Sequence, residues 1–193
     1  MTVKTKTYLI YMAIIVTIVA IVVMFRRQLF PKTFNDEVDM LTDNFKAKIF
    51  NLISGFEGYA SHAYHDKIDP PGVYTIGFGS IYNWDENRAV QQRDVINKDT
   101  AVRWFFIEAN QKVSAVQSLV KVPINDNQLL ALSSFAYNLG TGALQGSTLL
   151  RLLNQGISKQ IVANEFDKWA YSNGKKIPGL VKRRSQEKAL FLS

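Results

Sequence analysis

Two carboxyls stand close together early in the chain, in different surroundings. Glu57 ends an apolar helical pattern, and Asp66 follows the short aromatic run Ala63-Tyr64-His65. A Pro70-Pro71-Gly72 turn then leads into Thr75-Ile76-Gly77-Phe78-Gly79. Acid-assisted cleavage of a glycosidic bond needs such a pair, one carboxyl holding a proton to give away and one remaining ionised. Burial of Glu57 against Phe56 and the aromatic run would keep its proton on. Each residue also has an ordinary reading: a solvated Glu at a helix end, an Asp in a turn, a β-branched Thr in a strand. Asp69 lies in the same loop and competes with Asp66 for the second role, although a turn residue is the simpler reading of it.

The elements around the pair follow from periodicity. Thr42 or Asp43 is the expected N-cap of a first helix, whose apolar face is Phe45, Ile49, Leu52, Ile53 and Phe56. Gly55 marks its expected end, which puts Glu57 just beyond the last turn. Ala60–Asp66 and Val73–Phe78 read as a hairpin. Residues 80–97 read as irregular, with an exposed turn at 84–88. Further helices are expected from Asp99 or Thr100 to Val116, over Gln128–Leu139, Gly142–Asn154 and Ile157–Tyr171, and from Leu180 to Leu192. Phe135, Tyr137, Phe166 and Trp169 are assigned to the core, with Ile161 facing inward. The pattern is α+β and predominantly helical: a small β-hairpin lobe against a helical lobe, with a cleft between.

The chain has 193 residues, no cysteine and two histidines, His62 and His65. Disulfides and thiolate metal sites are excluded, a histidine-built metal centre is not expected, and no cofactor is expected. The net charge of +7 is unevenly spread. Lys4, Lys6, Arg26, Arg27 and Lys32 precede the first acid, Asp36, and Lys175, Lys176, Lys182, Arg183, Arg184 and Lys188 crowd the C-terminus against Glu187 alone. The stretch between is acidic, so the chain is not a uniformly basic nucleic-acid binder, and no nucleic-acid motif is present. Arg183 and Arg184 could pair with an acid near the site or meet anionic glycan; a solvated face of the last helix, where cations suit the helix dipole, is the preferred reading.

Tyr8 to Phe25 carries no charge. As a helix it would span about 27 Å, close to the thickness of a bilayer's hydrocarbon core. Tyr8 and Tyr11 flank one end and Arg26-Arg27 the other, as interfacial anchors do. The run is too long for a cleaved signal peptide and lacks a small-x-small cleavage site. The expected division is an N-terminal signal-anchor at 1–30, a linker at 31–43 and one domain at 44–193. Charge alone does not orient the anchor, because basic residues flank both ends.

From Phe56 onward the chain resembles the phage-type lysozymes, the muramidases of T-even and lambdoid phages. Their motif is a Glu, eight residues, an Asp, five residues and a Thr. Glu57 and Asp66 fit its first half, and Thr75-Ile76-Gly77-Phe78-Gly79 fits the segment that starts at the Thr. Three later blocks are also similar: Asn127–Gly142 with its Phe135-Ala136-Tyr137-Asn138-Leu139-Gly140 core, Ser147–Asn154, and Pro178-Gly179-Leu180-Val181-Lys182-Arg183-Arg184. Two departures stand out. Asp66 is three residues too far from Thr75, whereas Asp69 has the family's spacing. Asp66 is preferred because insertions are tolerated most easily in hairpin turns. Ser80 occupies a position where many relatives carry His, so a histidine ion pair is unavailable there.

The resemblance implies a lysozyme-like fold and hydrolysis of the β-1,4 bond between N-acetylmuramic acid and N-acetylglucosamine, for host lysis. It implies Glu57 as general acid, Asp66 as the carboxylate that activates water with inversion, Thr75 as a second holder of that water, and Asn138 in the cleft. Inversion corresponds to a carboxyl separation of about 6.5–9.5 Å. For Asn138, an amide satisfying nearby helix-end groups is an equally ordinary reading. The implied partners are peptidoglycan strands, the host export machinery and the inner membrane through residues 8–25, with a monomeric periplasmic catalytic domain. Some relatives later release their anchor; the Ile- and Val-rich segment here disfavours release. Two alternatives remain open: a lytic transglycosylase that needs Glu57 alone, and a peptidoglycan-binding protein without catalysis.

Overall fold

The computed structural model describes residues 41–65, 70–172 and 174–193. The expected anchor, most of the linker, and both Asp66 and Asp69 lie outside the described residues. Among the described residues, no helix is long and apolar enough to cross a membrane.

Helix α1 runs over Asp43–Glu57. Thr42 caps it, its hydroxyl accepting from the Phe45 N–H at 3.3 Å. The helix does not stop at Gly55. It continues to Glu57 and ends at Gly58, whose φ of 70° turns the chain away. A single Gly near a helix end costs about 1 kcal/mol of helix propensity. The packing of Ile49 and Ile53, both wholly buried, outweighs that: burying each contributes roughly 1.5–3 kcal/mol. Glu57 is therefore the last residue of the helix, on a rigid element.

The chain then forms the hairpin β1 (Ala60–Tyr64) and β2 (Thr75–Gly77), antiparallel, with Tyr64 opposite Thr75 and Ala60 opposite Gly77. A second small hairpin follows, β3 (Tyr82–Asn83) with β4 (Arg88–Ala89). Its turn is 84–87, one residue short of the expected 84–88, and Asn87 there takes a positive φ of 52°. The outer side of β1 is joined to the 94–96 segment by Ala63 N–H to Asp94 O and Ile96 N–H to Ser61 O bonds.

Helix α2 (Lys98–Leu119) is capped by Asn97, two residues before the expected cap, through its side chain and the Thr100 N–H. Helix α3 (Asp126–Leu139) opens on a reciprocal capping box between Asn125 and Gln128. The expected helix over Gly142–Asn154 is two pieces, α4 (Thr141–Gln145) and α5 (Thr148–Asn154). Ser147 divides them, its hydroxyl capping α5 through the Leu150 N–H. The expected helix over Ile157–Tyr171 is likewise shorter: α6 (Lys159–Asn164) tightens into a 3₁₀ segment (Glu165–Trp169). A small hairpin of β5 (Tyr171–Ser172) and β6 (Lys175–Lys176) follows, and sequence periodicity gave no sign of it. Ile161 is exposed, while Phe166 is wholly buried as expected. Helix α7 (Pro178–Leu192) starts on a proline at its first position, where the missing N–H costs nothing.

Three apolar clusters hold these elements. One, around Phe135, Leu144, Leu149, Val162, Phe166 and Phe191, joins α3 to α7. The second packs Phe45, Ile49 and Ile53 of α1 on Phe105, Ala109 and Val113 of α2, with Phe78 from the turn after β2. The third fixes the hairpins on α2 through Ile76, Val90, Trp104 and Ile107. The second and third clusters position the chemistry-bearing residues: they tie the end of α1 and the end of β2 to one helix.

Candidate active site

Glu57 is partly exposed, with its side chain at 22% of full accessibility. Its Oε1 accepts from Arg183 Nη1 at 2.5 Å. Arg183 comes from α7 and is itself buried. Its Nη2 donates to the Ser134 carbonyl of α3 at 3.1 Å, and its Nε donates to Glu187 Oε1 at 3.3 Å. The guanidinium also lies 4.8 Å from the centre of the Phe56 ring. A cation held by three elements therefore fixes one oxygen of Glu57.

Arg184 is wholly buried beside it. It donates to Asn138 Oδ1 at 2.9 Å and to Glu187 Oε1 at 3.2 Å, and stacks 4.9 Å from the Phe135 ring. Glu187 also accepts from the Ser134 hydroxyl at 2.7 Å. Burial pushes the Glu187 carboxyl above its ordinary value, against the pull of the two arginines. Burial likewise lowers Arg184, to about 10. The expectation of a solvated arginine face is thus corrected. Two arginines and one glutamate, spaced three and four apart on α7, turn inward and meet Glu57 and Asn138. A buried charge of this kind persists only when it is paired and hydrogen-bonded.

On the other side of Glu57 lies the turn after β2. Ile76 and Ser80 exchange both backbone hydrogen bonds at 2.9 Å, closing a loop over Gly77-Phe78-Gly79. Gly79 has φ 95°, and a Cβ there would stand 3.2 Å from Glu57 Oε2. Only a glycine brings the backbone that close to the carboxylate without strain. Thr75, at the start of β2, is buried opposite Tyr64.

Three of the expected site residues can be placed. Glu57 ends α1, Thr75 opens β2, and Asn138 sits on the last turn of α3 with its amide oxygen engaged by Arg184. Glu57 and Asn138 are linked through the arginine pair, and β2 reaches Glu57 through Gly79. Asp66 and Asp69 lie outside the described residues. Sequence reasoning had an acid near the site as the lesser reading for Arg183, and it missed the parts of Gly79 and of Glu108 on α2. Glu108 accepts from Ser80 Oγ at 2.5 Å, Trp84 Nε1 at 3.0 Å and the Tyr137 hydroxyl at 3.1 Å. A signal existed: Glu108 interrupts the inward-facing set of Trp104, Phe105, Ile107 and Ala109.

Comparison with known proteins places this arrangement. The family model described as Phage lysozyme matches residues 54–187. An endolysin of Bacillus phage B103 is 45% identical over 143 residues, which cover 74% of this chain and 52% of that protein. A SAR-endolysin of Bacteriophage PS119 is 31% identical over 147 residues, covering 72% of this chain and 77% of that one. The chain spans about half the length of the Bacillus phage endolysins it matches. Among solved structures, the muramidase domain of SpmX from Asticaccaulis excentricus superposes with a TM-score of 0.65 at 30% identity, covering 76% of this chain and 95% of that domain. With the family model matching residues 54–187 and the solved structures superposing over most of the chain, the chain belongs to the phage lysozyme family and has the lysozyme-like fold.

Proposed function

We propose that the protein is an endolysin that hydrolyses the β-1,4 bond between N-acetylmuramic acid and N-acetylglucosamine of peptidoglycan. The observation that carries this is Glu57: a partly exposed carboxyl at a helix end, gripped through Oε1 by a buried arginine and faced at Oε2 by Gly79, where an added Cβ would stand 3.2 Å away. Precise placement of the proton donor is what general acid catalysis demands. In this reading Oε2 carries the proton that passes to the glycosidic oxygen. Asp66 takes a proton from a water as that water attacks the anomeric carbon from the opposite face, giving inversion. Thr75 holds the same water through its hydroxyl. Asn138, with its oxygen engaged by Arg184, offers its amide nitrogen to the glycan. No cofactor has a part in these steps.

Residues 1–30 act as a signal-anchor and 31–43 as a linker to a catalytic domain over 44–193. The substrate lies outside the inner membrane, so the domain is periplasmic and the N-terminus cytoplasmic, with the host export machinery inserting residues 8–25. The relatives called SAR-endolysins, matched over 72% of this chain, support a membrane-linked route. The domain acts as a monomer.

A zymogram on purified sacculi tests the reading with four proteins: wild type, Glu57→Gln, Asp66→Asn and Asp69→Asn. Lysis is expected from wild type and Asp69→Asn and lost in the other two. New reducing ends are expected, whereas anhydro-muramoyl ends would mark a transglycosylase. Lytic activity surviving Glu57→Gln removes the catalytic assignment, and loss in Asp69→Asn alone transfers the second role to Asp69.

A further inference from the structure

Glu108 belongs to no part of the mechanism above, yet it gathers four elements at one carboxylate. It stands on α2, half-buried, and accepts from Ser80 and Trp84 of the hairpin region and from Tyr137 of α3. All three donors are neutral. The contact that Ser80 makes there is a 2.5 Å hydroxyl–carboxylate hydrogen bond. Hydrogen bonds to an ionised carboxylate are shorter and about twice as strong as neutral ones.

The donors bracket the turn that touches Glu57. Ser80 is the residue after Gly79, and its backbone closes the turn on Ile76. Tyr137 Oη lies 3.1 Å from Glu108 Oε2 and 3.0 Å from the carbonyl of Phe78, the residue before Gly79. Each hydroxyl has one proton and two acceptors in reach: Phe78 O or Glu108 for Tyr137, and Tyr82 O or Glu108 for Ser80. Ser80, donating to the carboxylate, anchors the turn on the far side of Gly79. Tyr137 places its one proton either on Glu108 or on the Phe78 carbonyl on the near side, and without Glu108 the Ser80 hydroxyl has only the Tyr82 carbonyl as acceptor. Burial, then the charge of Glu108, keep the Tyr137 hydroxyl protonated, so it remains a donor at working pH.

We infer that Glu108 is a positioning residue for Glu57: through Ser80 it holds the Gly77-Phe78-Gly79 turn against the Glu57 carboxyl and sets the direction in which that carboxyl presents its proton. The inference rests on the hydrolase reading. It assigns Glu108 no contact with substrate, and its effect falls on turnover rather than on glycan binding.

The test compares wild type, Glu108→Leu, Glu108→Gln, Ser80→Ala and Tyr137→Phe. Release of reducing ends from sacculi is measured well below each variant's melting temperature and normalised to folded protein by circular dichroism. Misplacement of a proton donor by under 1 Å lowers kcat, and the Leu variant is expected to lose about tenfold with KM within about twofold of wild type. Ser80→Ala and Tyr137→Phe each remove one clamp and are expected to lose about threefold in kcat. Glu108→Gln keeps the shape and one acceptor oxygen, and its kcat is expected within about twofold of wild type. A purely structural role would lower melting temperatures and leave kcat per folded molecule unchanged, which overturns the inference, as does a Gln variant falling as far as the Leu variant. Should Glu108→Leu fail to fold, the two clamp variants decide: unchanged kcat in both overturns it. An inactive wild type sinks the hydrolase reading and the positioning role with it, whereas an active wild type with indifferent variants sinks the positioning role alone.

Discussion

Adding a single methyl group at position 79 tests whether the contact between the hairpin turn and Glu57 matters for turnover. In Gly79→Ala the new Cβ would lie 3.2 Å from Glu57 Oε2 and 3.4 Å from the carboxyl carbon. The carboxylate must retreat by a few tenths of an ångström, and on its other side stands Arg183, already at 2.5 Å. Arg183 cannot follow freely, because Ser134 and Glu187 hold its other nitrogens. Backbone strain adds to this. At φ 95° a residue with a Cβ costs about 1–2 kcal/mol. For a domain of this size that lowers Tm by roughly 2–8 °C. A misplacement of about 1 Å can cost a hundredfold in rate, so a few tenths are worth roughly three- to tenfold in kcat. Gly77→Ala is the matched control. Gly77 also has a positive φ, 66°, and its added Cβ would meet Ala101 Cβ at 3.2 Å, in the core and away from the carboxylate. Both variants should lose similar stability by calorimetry, but only Gly79→Ala should lose turnover on sacculi beyond about threefold. Equal turnover in the two variants would refute the argument that this turn positions the acid.

Arg183→Met leaves Glu57 and Glu187 without their shared cation and is expected to cost about 3–5 kcal/mol in urea unfolding, the usual penalty for breaking a buried pair. Arg183→Lys should recover little of it, since one ammonium cannot serve three acceptors in the guanidinium's planar fork. The Arg88 guanidinium, with help from the Gln91 N–H, holds Asp94 down at about 2 from an ordinary 3.8. A carboxyl lowered in the folded state adds stability above its unfolded value, and that stability is lost as pH falls between 3.8 and 2. Asp94→Asn should therefore flatten the acid limb of a Tm-against-pH curve while lowering Tm at neutral pH; an unchanged limb would mean that the ion pair is already screened. Tyr137 is displaced upward from 10, mainly by burial, so its contribution is present below pH 10 and lost as pH rises through its folded value. Tyr137→Phe should remove that alkaline loss, read by thermal melts above pH 10.

Much of the framework was legible because periodicity and caps are local. Thr42 and the apolar face of Phe45–Ile53 act within a few residues, and the structure uses them as read. The misreadings share a cause, which is that local signals were outvoted by packing. Gly55 reads as a stop, yet the buried face of α1 carries the helix on to Glu57. The 142–154 segment reads as one helix by its leucines, yet Ser147 has a hydroxyl able to restart the backbone bonding and does so. Ile161 fits the inward spacing of a helix that ends early, so its side chain faces out.

The surroundings of the acid were the least legible, for a reason of distance along the chain. Arg183 lies 126 residues from Glu57, and no pattern within either segment announces the partnership. The spacing Arg183, Arg184, Glu187 did carry half of the information. On an exposed helix such a triplet would be a weak surface pairing worth under about 1 kcal/mol, and it would leave nothing to bury. On α7, however, Phe191 is wholly buried and Leu180 and Leu190 are partly so, which leaves 183, 184 and 187 on the inward side if the helix is to pack at all. Placing three charges there requires further polar partners to meet them, and Glu57, Ser134 and Asn138 supply these. The same reasoning applies to Glu108, an acid on the inward face of α2 whose donors come from 28, 24 and 29 residues away. A charged residue at a position that periodicity assigns to the core therefore points to a polar network completed by another part of the chain: the Arg183 network closes on Glu57, and the Glu108 network on Ser80, next to Gly79.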